Sequence, residues 1–142
     1  MRILPPTLLA ATLAACSGAT EPEWRRDIGT LFPAEFGAIA VEAPTSARAG
    51  ESFEVTVTTA GSSACVRASG ATVTVAALTA TVVPMDERYV GPRMCTDDLA
   101  PHPRRVSLRF SAAGTATLRV SGRSSTDPTQ LTVIERQVEI EP

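Results

Sequence analysis

The amino-acid sequence predicts an all-β domain, an antiparallel two-sheet sandwich of about seven or eight short strands. Three observations carry that expectation. Apolar residues recur at every second position in short runs, and no stretch sustains a helical period. The apolar content is mostly Ala and Val, with only four Phe, one Tyr and one Trp. A core of small and β-branched side chains suits pleated strands better than helices.

Asp27 to Phe32 is the first candidate strand, and Ile39 and Val41 alternate around Ala40 in the second, which Pro44 ends. After the turn at Ala49-Gly50 comes the clearest run, Glu51 to Thr59. There Phe53, Val55 and Val57 face one way, and Glu54, Thr56 and Thr58 the other. Val73 and Val75 alternate with Thr72 and Thr74, and Leu78 to Val83 reads as a more buried strand. Val106, Leu108 and Phe110 then alternate with Arg105, Ser107 and Arg109. Across the turn Ser111-Ala112-Ala113-Gly114, Ala116, Leu118 and Val120 alternate with Thr115, Thr117 and Arg119, so the two runs read as a hairpin. Leu131 to Ile140 closes the chain, and its apolar parity shifts between Val133 and Ile134, which predicts a bulge. This many strands over about 115 residues is the layout of immunoglobulin-like sandwiches.

A length of 142 residues fits one domain once targeting sequence is subtracted. Arg2 followed by Leu8, Leu9, Ala10, Ala11, Leu13, Ala14 and Ala15 reads as a signal peptide. The apolar run is too short to span a bilayer, which takes ~20 residues. Leu13-Ala14-Ala15-Cys16 resembles the lipobox of bacterial lipoproteins. That resemblance implies diacylglyceryl transfer to Cys16, removal of residues 1–15, and acylation of the new amino group. The competing reading is a plain secretory signal cut after Ala15 or Ala19. Cysteine parity opposes it, since three cysteines leave one odd thiol that lipidation consumes. Ser17 after the cysteine resembles the pattern sent to the outer membrane, on its periplasmic face or at the surface. Residues 16–26 then form a polar, Pro-broken tether and 27–142 the domain. Trp24, its one large apolar group, is expected to pack on the first strand, with contact at a membrane interface as the alternative.

Cys65 and Cys95 remain, and in an oxidising compartment they are expected to pair. Closing a loop of about 31 residues stabilises the fold by about 3.7 kcal/mol on the chain-entropy account. The order T-T-A-G-S-S-A-C, V-P-M-D-E, M-C-T-D-D-L and R-V-S-L-R-F-S-A-A-G-T-A-T-L-R-V-S-G resembles immunoglobulin-like lipoproteins of soil bacteria such as Gemmatimonadota. The resemblance covers nearly all of the mature chain and implies a fold and an address rather than an activity. Where many immunoglobulin-like domains carry an aromatic after the Gly of that second run, this chain has Ala116, so no tyrosine corner is expected.

All 13 basic residues are Arg, and the net charge is −2. No clustered positive stretch appears, so nucleic-acid binding is not expected. His102, the one histidine, lies in Pro101-His102-Pro103 on an expected loop. As a general base it needs an orienting acid such as Asp97 or Asp98 and a nucleophile such as Ser124 or Ser125, and no G-x-S-x-G motif is present. Asp86, Glu87, Asp97 and Asp98 are weak candidates for a calcium site, without the D-x-D-x-D-G spacing. Arg104, Arg105, Arg109 and Arg119 are expected on the polar outer face of the hairpin. No cofactor is expected. The reading is a lipid-anchored, non-catalytic module in the cell envelope, in contact with the membrane and with an envelope protein partner. A small envelope enzyme, or a ligand- or metal-binding protein, is the alternative.

Overall fold

The computed structural model describes residues 23–37 and 39–142. Ten strands and one 3-10 turn, Ala34–Phe36, make up their regular structure, as the all-β expectation requires. The strands are β1 (Trp24–Ile28), β2 (Thr30–Leu31), β3 (Val41–Glu42), β4 (Ser46–Arg48), β5 (Ser52–Gly61), β6 (Val66–Ala76), β7 (Thr79–Tyr89), β8 (Ala100–Arg109), β9 (Gly114–Arg123) and β10 (Leu131–Glu141).

They form one mixed sheet curled round a single core, rather than seven or eight antiparallel strands. One half runs β6-β7-β9-β10-β4, with β1 sharing the edge of β7 used by β9. The other half is β8-β5, with β2 and β3 on the far edge of β5. Three pairs are parallel: β7 with β9, β10 with β4, and β2 with β9. The first of these follows from the route of the chain. It leaves β7, crosses to the other half as β8, and returns as β9 beside β7 running the same way.

The expected first strand is two strands, split at Gly29. β1 pairs with β7, whereas β2 pairs with β5 and, at Thr30↔Arg123, with β9, so this segment joins the two halves. A Cβ at position 29 would lie 2.6 Å from Thr59 Cγ2 and 2.7 Å from Asp86 Oδ2, so the crossing needs glycine.

The expected hairpin of residues 105–120 is not one. β8 pairs with β5, and β9 with β7 and β10. Their apolar faces, Val106, Leu108 and Phe110 on one strand and Ala116, Leu118 and Val120 on the other, are all buried in the common core. Each closes the core from its own half. The bulge expected in the last strand is also absent, since β10 pairs with β9 without a slip from Leu131↔Arg123 to Ile140↔Gly114. The parity change arises because Leu131 and Val133 stand on the outer face, exposed, while Val138 and Ile140 point inward. The register shift lies in β6 instead, between Ala68 and Ala71, where Gly70 takes φ 76°. Val73 and Val75 on the same strand are exposed and add little to the core. β6 and β8 lie close together without pairing, each bonded along one edge only.

Candidate functional site

Two groups of side chains stand out from the sheet, one exposed at the disulfide end and one buried beneath it. Cys65 immediately precedes β6 and Cys95 lies in the segment after β7, and they form the expected disulfide, with Cα atoms 5.4 Å apart. The N–H of Tyr89 donates to the Cys65 carbonyl at 2.9 Å, and that of Val90 to the Glu23 carbonyl at 2.7 Å. The Thr96 hydroxyl donates to Asp98, and the Ser63 N–H adds a bond to the same carboxylate at 3.0 Å. These donors, Thr96 first, hold Asp98 below the usual carboxylate range.

An aromatic and guanidinium stack rests on this frame. The register sets Trp24 opposite Tyr89, and Arg26 and Arg67 on either side of Glu87, so these residues share the outer face of β1-β7-β6. Trp24 meets Tyr89 edge-on with ring centres 5.4 Å apart. The Arg67 guanidinium lies 4.1 Å over the Trp24 ring, and that of Arg93 4.1 Å over Tyr89. Arg67 donates to Glu87 at 2.5 Å and Arg93 to the Ala64 carbonyl at 2.7 Å, which holds both guanidiniums in place. Trp24 was expected in the tether, packed on the first strand; it is instead the first residue of β1 and packs against Tyr89 of β7 and Arg67 of β6.

The buried group centres on Asp86 and Arg104. Their side chains are 6% and 5% exposed and 2.6 Å apart. The Thr59 hydroxyl donates to Asp86 at 3.0 Å and accepts from Arg104. Arg104 also donates to the carbonyls of His102 at 3.1 Å, Gly70 at 3.2 Å, and Met85. Its Nε is buried and has no hydrogen-bond partner among the described residues. One guanidinium therefore ties β8 to β5, β6 and β7. Arg104 was expected on an outer face, but its parity is that of Val106, Leu108 and Phe110, so it points inward. Arg105, Arg109 and Arg119 do face outward, with Arg119 paired to Glu135 at 3.1 Å.

The other predicted site residues are dispersed. Asp86 is engaged by Arg104 and Glu87 by Arg67, while Asp97 and Asp98 lie on the exposed segment after Cys95. Among the described residues no three His, Cys, Asp or Glu side chains gather as a metal site. His102 is not on a loop. It sits in β8 opposite Thr59, partly buried, with Nε2 3.4 Å from the Gly61 carbonyl. β8 accepts Pro101 and Pro103 because it is bonded along one edge only. Among the described residues no hydrogen bond joins His102 to Asp97, Asp98, Ser124 or Ser125. Ser124 instead accepts from the N–H groups of Thr126 and Asp127 in its own loop.

A further ion pair closes the far end of β1. Arg123 donates to both oxygens of Asp27, at 2.7 and 2.8 Å, which lowers the carboxyl from its ordinary value against the opposing effect of burial. Cys16 and the leader lie outside the described residues. Among those described, no helix is long and apolar enough to cross a membrane. No known protein family matches the chain, nor does any curated protein sequence or solved structure.

Proposed function

We propose that this protein is a lipid-anchored lipoprotein of the bacterial cell envelope whose β domain is a non-catalytic interaction or accessory module. The observation that carries the reading is the thiol count. Cys65 and Cys95 are joined to each other, which leaves Cys16, at the end of Leu13-Ala14-Ala15, as the one cysteine for lipid. Two or more acyl chains, each buried CH₂ contributing about 0.8 kcal/mol, make such an attachment stable. The module reading is supported by how the charged groups are used. Asp86 and Arg104 brace the sheet from inside, while the Trp24-Tyr89-Arg67-Arg93 stack offers a rigid contact surface outside.

We read the domain as a divergent immunoglobulin-like sandwich. Support comes from the split first strand that serves both halves and from the parallel pairing of β4 with the last strand. The parallel pair β7-β9 is its departure from an all-antiparallel plan. The test of the anchor is metabolic labelling. The wild-type chain incorporates radiolabelled palmitate and fractionates with membranes, and Cys16→Ser abolishes both. Continued labelling of the Cys16→Ser chain refutes the assignment.

A further inference from the structure

We propose that the outer face at the disulfide end, formed by Trp24, Tyr89, Arg26, Arg67 and Arg93, rests on an anionic phospholipid surface. The inference builds on the lipid-anchor reading by assigning which face of the domain meets the bilayer.

Tether length is the first argument. Seven residues lie between Cys16 and Trp24, where β1 begins, and the eight steps from one to the other span roughly 27 Å when fully extended. An anchor at Cys16 therefore holds the Trp24 end of the sheet within that distance of the headgroups. The second argument is the chemistry of that end. Trp and Tyr side chains, each with an apolar body and a polar edge, favour the zone between water and hydrocarbon. Val90 and Met94, on the segment that joins Tyr89 to Cys95, add exposed apolar groups, with Met94 93% exposed. The third argument is charge. Arg26, Arg67 and Arg93 stand on this face against the one carboxylate of Glu87, while the carboxylates of Asp97 and Asp98 belong to the segment after Cys95. Stacking on the rings and bonds to Glu87 and Ala64 fix two of these guanidiniums before any contact with lipid, which reduces the entropy lost on docking. Each Arg near an anionic leaflet strengthens attachment about fivefold.

Trp24 is the one tryptophan of the chain and reports on its own surroundings. The mature chain with its disulfide intact is coupled through the Cys16 thiol to a maleimide-headed lipid in vesicles, and flotation confirms attachment. With phosphatidylglycerol vesicles carrying lipids brominated in the upper acyl chain, Trp24 emission shifts to the blue and is quenched. Phosphatidylcholine vesicles give much weaker quenching. Emission unaffected by bromine in the floated protein overturns the proposal, and equal quenching on neutral and anionic lipid overturns its headgroup assignment. Arg93→Gln weakens binding of the uncoupled Cys16→Ser chain to phosphatidylglycerol vesicles about fivefold. Arg26→Gln, whose side chain bonds to the Ser69 carbonyl rather than stacking on a ring, gives the same loss if Arg93→Gln disturbs folding. Unchanged binding in both variants also overturns the proposal. The anchor fails separately: a chain that takes up no palmitate in cells but is quenched when coupled refutes the lipid and leaves the surface standing.

Discussion

Replacing Asp86 by Ala removes the carboxylate facing Arg104 and leaves a guanidinium 5% exposed with no counter-charge. Removing one partner of a buried pair costs about 3–5 kcal/mol, because the remaining ion keeps its desolvation penalty and loses its attraction. The Thr59 hydroxyl loses its bond to Asp86 in the same step and keeps only the longer one to the His102 carbonyl at 3.4 Å. For a domain of this size each kcal/mol shifts the melting temperature by roughly four degrees, so Asp86→Ala melts about 12–20 degrees lower. The double replacement Asp86→Leu/Arg104→Met removes both charges while keeping apolar volume, and it recovers most of the loss. Melting of the Cys16→Ser chain followed by circular dichroism measures all three proteins, with urea titration to check that the transition is two-state. A single mutant within about 1 kcal/mol of wild type refutes the reasoning, since such a value belongs to an exposed ion pair. A double mutant no better than the single one refutes the claim that the stranded charge is the cause.

The disulfide and the Asp27-Arg123 pair give two further tests. Cys65→Ala/Cys95→Ala retains a β spectrum but melts lower by about ten degrees or more, and denatured Cys16→Ser protein shows no reactive thiol until it is reduced. Two free thiols before reduction contradict the bond. Asp27 is held below its ordinary value chiefly by the Arg123 hydrogen bond, so its contribution is complete above the unfolded value and is lost as pH falls through the lowered one. The stability gap between wild type and Arg123→Gln is therefore widest above about pH 4 and narrows below it. A gap constant across the acid range refutes the assignment.

The parts of this fold that were legible in the sequence are those fixed by alternation within one strand. Phe53-Val55-Val57, Val106-Leu108-Phe110 and Ala116-Leu118-Val120 each show which side of a strand faces the core, and the structure buries or half-buries all nine. Alternation says nothing about which strand lies alongside. A short turn between two such runs suggested a hairpin, yet the same alternation suits two strands facing each other across a core. β8 and β9 have that arrangement. At the candidate site the rings and guanidiniums are spread from residue 24 to residue 93; the pairing of β1 and β6 with β7 assembles all but Arg93, which the Ala64 carbonyl holds in the segment tied down by Cys95. The buried ion pair did leave a trace. Counting back by twos from Val106 gives Arg104, and counting on by twos from Ala80, Val82 and Pro84 gives Asp86. Opposite charges that continue two apolar faces are the signature of a buried pair, and reading Arg104 with its exposed neighbours hid it.

The same residues explain why the sheet stays open where β6 and β8 approach. Two strands bonded along one edge only could pair, with each other or with another molecule. Pro101 and Pro103 deprive β8 of two N–H donors at its start, opposite Ala60 and Thr58 of β5. On β6 the register shift at Gly70 breaks the regular spacing of the strand and brings the Gly70 carbonyl within 3.2 Å of Arg104. An inward-pointing charge close to a strand edge is itself a device against edge pairing. Here the guanidinium uses carbonyls of both β6 and β7, so the connection that a ladder of backbone hydrogen bonds would supply passes through one side chain. Loss of that side chain therefore has a second consequence beyond stability. Arg104→Met on its own leaves Asp86 buried and frees the Gly70 and Met85 carbonyls, which loosens β6 from β8 and exposes an edge to other chains.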